Sequence, residues 1–144
     1  MNQKIDNFCS ELRTKINDAD KRLKDLRASA KNKTQQAKNE AKANLEWLDN
    51  KAKEQQARID ASRAKAKAWA QEKKAITSEK IAEWKAQRQV KKLADRADGA
   101  EDYAAAAIDF AFAAVDEAER ATVEAILARM DEDTVQAPAA AGVV

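Results

Sequence analysis

The first 98 residues contain neither glycine nor proline, and this feature limits the possible folds more than any other. Strands and tight turns need β-branched residues with glycine or proline between them, and both kinds of residue are scarce in this chain. Alanine, lysine, glutamate, glutamine and arginine, which are good helix formers, dominate instead. The sequence therefore predicts an all-α protein in which residues 1–98 form one long basic helix, about 147 Å in length if it is straight.

Polar residues that compete with the backbone for hydrogen bonds mark three possible breaks in this helix: Asn32–Lys33–Thr34, Asp49–Asn50 and Thr77–Ser78. The first strong signal for a helix end is Gly99, because glycine readily adopts the left-handed conformation that ends a helix. Asp98 and Glu101 also resemble a capping box that starts the next helix. We therefore expect a second helix over residues 99–133 and a flexible tail over residues 134–144.

The start of the chain has a heptad pattern that is typical of a coiled coil. Apolar residues recur every seven positions, and a second line follows four residues after the first: Ile5, Leu12, Ala19 and Leu26, then Cys9, Ile16, Leu23 and Ala30. The phase slips beyond residue 37, so residues 37–97 form a weaker amphipathic region. The pattern predicts a partly coiled-coil helix that pairs through residues 5–30.

Charge is distributed unevenly along the chain. Residues 1–97 carry 25 basic and 14 acidic side chains, whereas residues 98–144 carry 2 basic and 11 acidic ones. The acidic segment also has a broad apolar face, and its acidic side chains are expected to lie mostly on the opposite, solvated side. We expect this helix to fold back on the basic helix as an antiparallel hairpin, or to pair with a second copy of the chain.

These two apolar faces predict self-association into a helical bundle. The residues expected to carry it are Ile5, Cys9, Leu12, Ile16, Leu23 and Leu26 in the first helix and Ile108, Phe112, Val115 and Ile126 in the second.

The three tryptophans form the other notable pattern. On one continuous helix Trp47, Trp69 and Trp84 fall within an arc of about 100°. Basic residues flank them four positions away: Lys51, Lys65, Lys73, Lys80 and Arg88. This tryptophan–lysine stripe favours binding to an anionic surface such as a membrane, a storage granule or nucleic acid. A local alternative is that lysine side chains cover each tryptophan on its own helix.

The sequence does not indicate catalysis. Histidine, the commonest general base and metal ligand, is absent, and two glycines are too few for a phosphate-binding loop. Glu117, Glu124 and Asp131 recur every seven residues, but a di-iron bundle needs a Glu-x-x-His pattern. We expect no enzyme activity, no cofactor, no metal and no small-molecule substrate.

No signal peptide or membrane span is evident, which favours a cytoplasmic location.

Three functional hypotheses remain open. The first is a self-associating helical protein, a homo-oligomer that acts as scaffold, adaptor or regulator of a protein partner. The second is an amphipathic helix that binds an anionic surface through the tryptophan–lysine stripe. The third is a stress-type chain that folds on binding or drying; the composition of residues 37–92 resembles that of late-embryogenesis-type, apolipoprotein and granule-coating helices.

Overall fold

The structure is a computed structural model that describes residues 3–143 and, for side chains, residues 3–135. Four helices cover most of these residues: α1 (Gln3–Ala30), α2 (Gln35–Ala75), α3 (Ser78–Ala86) and α4 (Val90–Val143). Contacts of α4 with both α1 and α2 make this an all-α helical bundle, so the predicted fold class is confirmed.

The prediction of a single helix over residues 1–98 is wrong, because the chain breaks at two of the three polar sites. Thr34 accepts a hydrogen bond from the backbone N–H of Ala37 at 3.1 Å. Thr77 accepts one in the same way from the N–H of Lys80, also at 3.1 Å, and it is the N-cap of α3. These threonines satisfy backbone donors that the start of a helix would otherwise leave free. The third site, Asp49–Asn50, lies within α2.

Two basic residues in the left-handed region lie between the helices. Lys33 follows α1 with a φ of 53°, and Arg88 follows α3 with a φ of 54°. Glycine is the usual residue in this conformation, so neither position carries the normal sequence signal. The sequence therefore does not predict the break between α3 and α4.

Gly99 does not end a helix, because α4 begins at Val90 and continues through it. A Cβ atom placed at Gly99 would lie 3.0 Å from Cζ3 of Trp69. The glycine therefore allows α4 and the Trp69 ring to approach closely, which is a packing role. The predicted junction at residues 98–99 is thus wrong.

The second helix also continues past its predicted end at residue 133. Thr134 lies within α4, and its hydroxyl donates to the carbonyl oxygen of Met130 at 2.8 Å. The side chains of the predicted tail from residue 136 onward, and all of residue 144, lie outside the described residues.

The chain divides into two compact units, and α1, α2 and α4 contribute residues to both. Unit 1 contains Met1–Leu12 and Gln56–Phe112, and unit 2 contains Arg13–Gln55 and Ala113–Val144.

The core of unit 2 combines side chains from three helices. Its buried residues are Leu26 from α1, Ala41 and Leu48 from α2, and Val123 and Leu127 from α4, with Leu23, Leu45 and Ile126 packed against them. The apolar face of α4 in this unit therefore packs on α1 and α2 of its own chain.

Ion pairs give the directions of the helices in unit 2. On α1, Lys15 pairs with Asp116 and Arg22 with Glu119, so α1 and α4 run parallel. On α2, Lys51 pairs with Asp116 while Lys38 pairs with Asp131, so α2 and α4 run antiparallel. In unit 2, α4 thus folds back antiparallel to α2, which belongs to the preceding basic segment.

In unit 1, α2 and α4 are again antiparallel. Arg58 pairs with Asp109, while Trp69 stacks on Tyr103, so the end of α2 runs antiparallel to the start of α4. Lys4, near the start of α1, lies close to the carboxylates of Glu101 and Asp102.

The two heptad lines of α1 differ in their burial within the chain. In the first line Ala19 and Leu26 are buried, whereas in the second line Cys9 is exposed and Ile16 is 53% exposed. Two half-buried basic residues of α1 each precede a residue of the second line. These are Lys15 and Arg22, whose charges meet acidic residues of α4.

Candidate functional site

The acidic residues of α4 do not all face solvent, which is the main correction to the sequence-based prediction. Asp116 is only 5% exposed and Glu119 only 2% exposed. Lys15 pairs with Asp116, and Lys51 approaches the same Oδ1 atom at 3.4 Å. These carboxylates can be buried because basic residues of α1 and α2 face them and neutralise their charge. A buried charge needs such a partner because it has lost the stabilisation that water provides.

This cluster is crowded with positive charge. Burial, followed by the neighbouring Lys15, lowers the pKa of Lys51 below its usual value. The remaining carboxylate oxygen of Asp116, Oδ2, is buried without a hydrogen-bond partner among the described residues. These contacts fix the side chains of three helices in one place and hold no exposed reactive group.

Trp47 lies at the edge of the same cluster and remains 44% exposed. The guanidinium of Arg22 lies 5.0 Å from its ring centroid, and the Lys51 ammonium lies 4.9 Å from it. The contact with Lys51 follows the i+4 spacing in the sequence. The contact with Arg22 comes from another helix, so spacing along the chain could not reveal it. Trp47 thus contacts two cations of its own unit.

Three acidic residues of α4 in unit 1 also find partners. Ser62 donates a hydrogen bond to Asp109 at 2.9 Å, and Arg58 pairs with the other oxygen of that carboxylate at 3.0 Å. Lys4 lies 3.9 Å from Glu101 and 3.7 Å from Asp102. Lys4 and Arg58 therefore supply cations for these three acidic residues of α4.

The basic residues that follow are different. Residues 63–92, all in unit 1, contain ten basic and three acidic side chains, a net charge of +7. None of these ten cations forms an ion pair with another residue that the structure describes. Arg63, Lys67 and Lys74 fall within an arc of about 40° on α2, in a row about 16 Å long. We call residues 63–92 the unpaired basic segment.

A cavity of about 420 Å³ lies in the same unit, between the end of α2, α3 and the start of α4. Its walls include the indoles of Trp69 and Trp84. The Trp69 ring stacks on Tyr103, with centroids 5.7 Å apart and ring planes 19° apart. The Lys92 ammonium lies 5.7 Å from the centroid of Trp84. We call this the tryptophan cavity.

The charged groups of the tryptophan cavity are balanced. Lys92 and Arg96 contribute two cations, while Glu72 and Asp95 contribute two carboxylates. Neither carboxylate accepts a hydrogen bond from another described side chain. The sequence did not indicate these four residues as a group, because the turns before and after α3 bring them together from α2 and α4.

The three tryptophans of the predicted stripe do not lie on one continuous helix. The prediction assumes a single helix, but α2 ends at Ala75, so Trp84 belongs to α3. Trp47 belongs to unit 2, and Trp69 and Trp84 belong to unit 1. The flanking residues Lys65, Lys73, Lys80 and Arg88 are exposed, and none of them lies over a tryptophan ring in the described part of the chain.

The residues predicted for self-association differ in exposure. Leu26 and Ile108 are buried within the chain. Six others are half-buried: Ile5, Leu12, Leu23, Phe112, Val115 and Ile126. Only Cys9 and Ile16 are exposed. Thus a second copy has ready access to few of these side chains.

Unit 2 contains a second cavity, also of about 420 Å³, where α1 and α4 meet near Ala30 and Met130. Its apolar floor is bordered by Arg27, Lys31 and Arg129. Two basic residues of its lining already form ion pairs within the chain: Lys33 with Asp133 and Arg129 with Glu132.

No protein-family model matches the chain, and comparisons with curated proteins and with solved structures find no significant similarity. No helix among the described residues combines the length and the apolar character that crossing a bilayer requires. Within the same residues, no three acidic or cysteine side chains are grouped so that they would hold a metal ion.

Proposed function

We propose that this chain is a non-enzymatic helical protein that binds nucleic acid through the unpaired basic segment. One observation carries the proposal: acidic residues of α4 pair with seven basic residues between Lys4 and Arg58, yet the ten cations of residues 63–92 have no acidic partner among the described residues. Ten unpaired cations within thirty residues repel one another and attract an anionic polymer.

The arrangement of these cations suits a phosphate backbone. Arg63, Lys67 and Lys74 share one side of α2, and the exposed Lys80, Lys85 and Lys91 extend the charge along α3 and the start of α4. Each cation that contacts a phosphate releases condensed counterions, which supplies most of the affinity in binding without sequence preference.

A membrane surface is less favoured by the geometry. Tryptophans that settle at a lipid headgroup boundary need rings that are free to enter it. The Trp69 ring is instead stacked on Tyr103 and packed over Gly99, and Trp84 is half-buried. The charge of the segment remains available, but both indoles are half-buried and line a cavity of the unit.

Binding of a labelled 20-nucleotide single strand at 50 mM salt tests the proposal. We expect the triple variant Arg63→Gln, Lys67→Gln and Lys74→Gln to bind at least tenfold more weakly than the wild type. The matched control is Lys21→Gln, Lys31→Gln and Lys53→Gln, which removes the same charge from exposed, unpaired positions of unit 2. Equal loss in both variants would show that net charge alone matters and would refute a local site.

A self-associating scaffold is the second candidate, and one observation favours it. Ile16 is 53% exposed on α1 and shares a heptad line with Leu23 and Ala30 in the same unit. A parallel partner helix would cover this line. Light scattering tests the idea: the wild type would be dimeric at micromolar concentration and Ile16→Gln monomeric. A monomeric wild type at those concentrations would rule it out.

A further inference from the structure

We propose that the tryptophan cavity holds one unpaired, amino-bearing base of a single-stranded nucleic acid. This inference rests on the proposed function, because the unpaired basic segment would bring the strand to the cavity. It adds a specific subsite to the general attraction of phosphates.

The two indoles supply the stacking surface. Trp69 and Trp84 come from different helices and line one cavity of about 420 Å³. Trp69 is fixed in place by its stack on Tyr103 and by its contact with Gly99. A base that stacks on a ring already held in position loses little further side-chain freedom. A duplex cannot use this surface, because its bases are stacked and paired inside the helix.

The polar groups of the cavity match the rest of a nucleotide. Lys92 and Arg96 line the cavity and would pair with the phosphate of the bound nucleotide. Glu72 and Asp95 offer carboxylate oxygens that no described side chain engages. Carboxylates accept hydrogen bonds from exocyclic amino groups, which cytosine and adenine carry and thymine lacks. The cavity should therefore prefer an amino-bearing base to thymine.

Homopolymers of deoxycytidine and deoxythymidine, each 20 nucleotides long, test this preference. In a Trp47→Phe background, the emission reports only Trp69 and Trp84. We expect deoxycytidine to quench this emission and to bind about tenfold more tightly than deoxythymidine. Trp84→Leu should weaken binding of deoxycytidine about tenfold with little change in its salt dependence. The matched control, Trp47→Leu in the wild type, should change the affinity less than twofold.

A second variant keeps the test decisive if Trp84→Leu loses helicity. Glu72→Ala combined with Asp95→Ala changes two exposed side chains and removes both hydrogen-bond acceptors, so it should remove the preference for deoxycytidine. If both strands bind with strong salt dependence but the cavity variants match the wild type, this inference is wrong and the proposed function stands. If neither strand binds at low salt, both proposals fail. Emission shifts with phosphatidylcholine–phosphatidylglycerol vesicles alone would assign the cavity to a lipid headgroup and overturn the inference.

Discussion

Arg22 holds Glu119 through two parallel hydrogen bonds, from Nε to Oε2 at 2.8 Å and from Nη2 to Oε1 at 2.7 Å. The two residues are 97 positions apart in the chain, and the carboxylate is 2% exposed. This bidentate geometry is demanding, because a small shift of α1 against α4 would break both bonds. The pair therefore fixes the register of these two helices within unit 2.

Removal of one residue of this ion pair should strongly destabilise the fold. Arg22→Met would leave Glu119 buried without its cation and should lower the free energy of unfolding by about 3 kcal/mol. Arg13→Met is the control, because Arg13 is exposed on the same helix without an ion pair, and its effect should stay within about 0.5 kcal/mol. Urea unfolding followed by circular dichroism measures both variants.

The double variant Arg22→Met with Glu119→Met separates the charge effect from lost packing. It removes both charges while keeping side-chain volume, so it should regain most of the stability that the single change loses. If the double variant were as unstable as Arg22→Met alone, an unpaired carboxylate would not be the cause.

The close approach at Gly99 gives a second prediction. Gly99→Leu would force a side chain into the Trp69 ring, whose Cζ3 atom would lie 3.0 Å from the new Cβ atom, and should destabilise the protein by about 1–3 kcal/mol. Ala100→Leu places the same side chain one residue further, at an exposed position, and should be nearly neutral. Thermal unfolding compares the two variants. A stabilising effect of Gly99→Leu would show that helix propensity outweighs the packing constraint.

The carboxyl of Asp131 gives a prediction that depends on pH. Its hydrogen bond from Lys38, together with the charges of Lys38 and Lys42, lowers its pKa below the usual 3.8. Because the folded pKa is the lower one, the contact stabilises the fold above about pH 3.8 and is lost as the pH falls through the folded value. In Lys38→Met the pKa of Asp131, measured by carbon NMR, should rise towards 3.8. An unchanged pKa would mean that Lys38 does not bind this carboxyl in solution.

The helical class and the fold-back of α4 were predictable from the sequence, because they depend on composition and on the apolar periodicity of residues 101–131. The breaks were only partly predictable. Thr34 and Thr77 act as caps whose side chains mark a boundary, but Lys33 and Arg88 adopt left-handed conformations without glycine. Gly99 gives a misleading signal for the opposite reason, since it serves packing inside a helix.

The candidate site was less predictable than the fold. A helical wheel treats an acidic residue as a solvated one, so it places Asp116 and Glu119 outside, whereas partners on α1 and α2 make their burial possible. Likewise, the tryptophan–lysine stripe assumes one straight helix, and the break after Ala75 places Trp84 on α3. Only the three-dimensional contacts show which cations are already paired.

The salt dependence of single-strand binding tests the central claim most directly. Between 50 and 200 mM salt, plots of log affinity against log salt should be linear, with a slope of about −0.7 for each phosphate neutralised. We expect the Arg63→Gln, Lys67→Gln and Lys74→Gln triple variant to have a slope shallower than that of the wild type by about 2, whereas the Lys21→Gln, Lys31→Gln and Lys53→Gln control keeps the wild-type slope. A wild type that binds no strand at 50 mM salt, or identical slopes for all three proteins, would contradict the account.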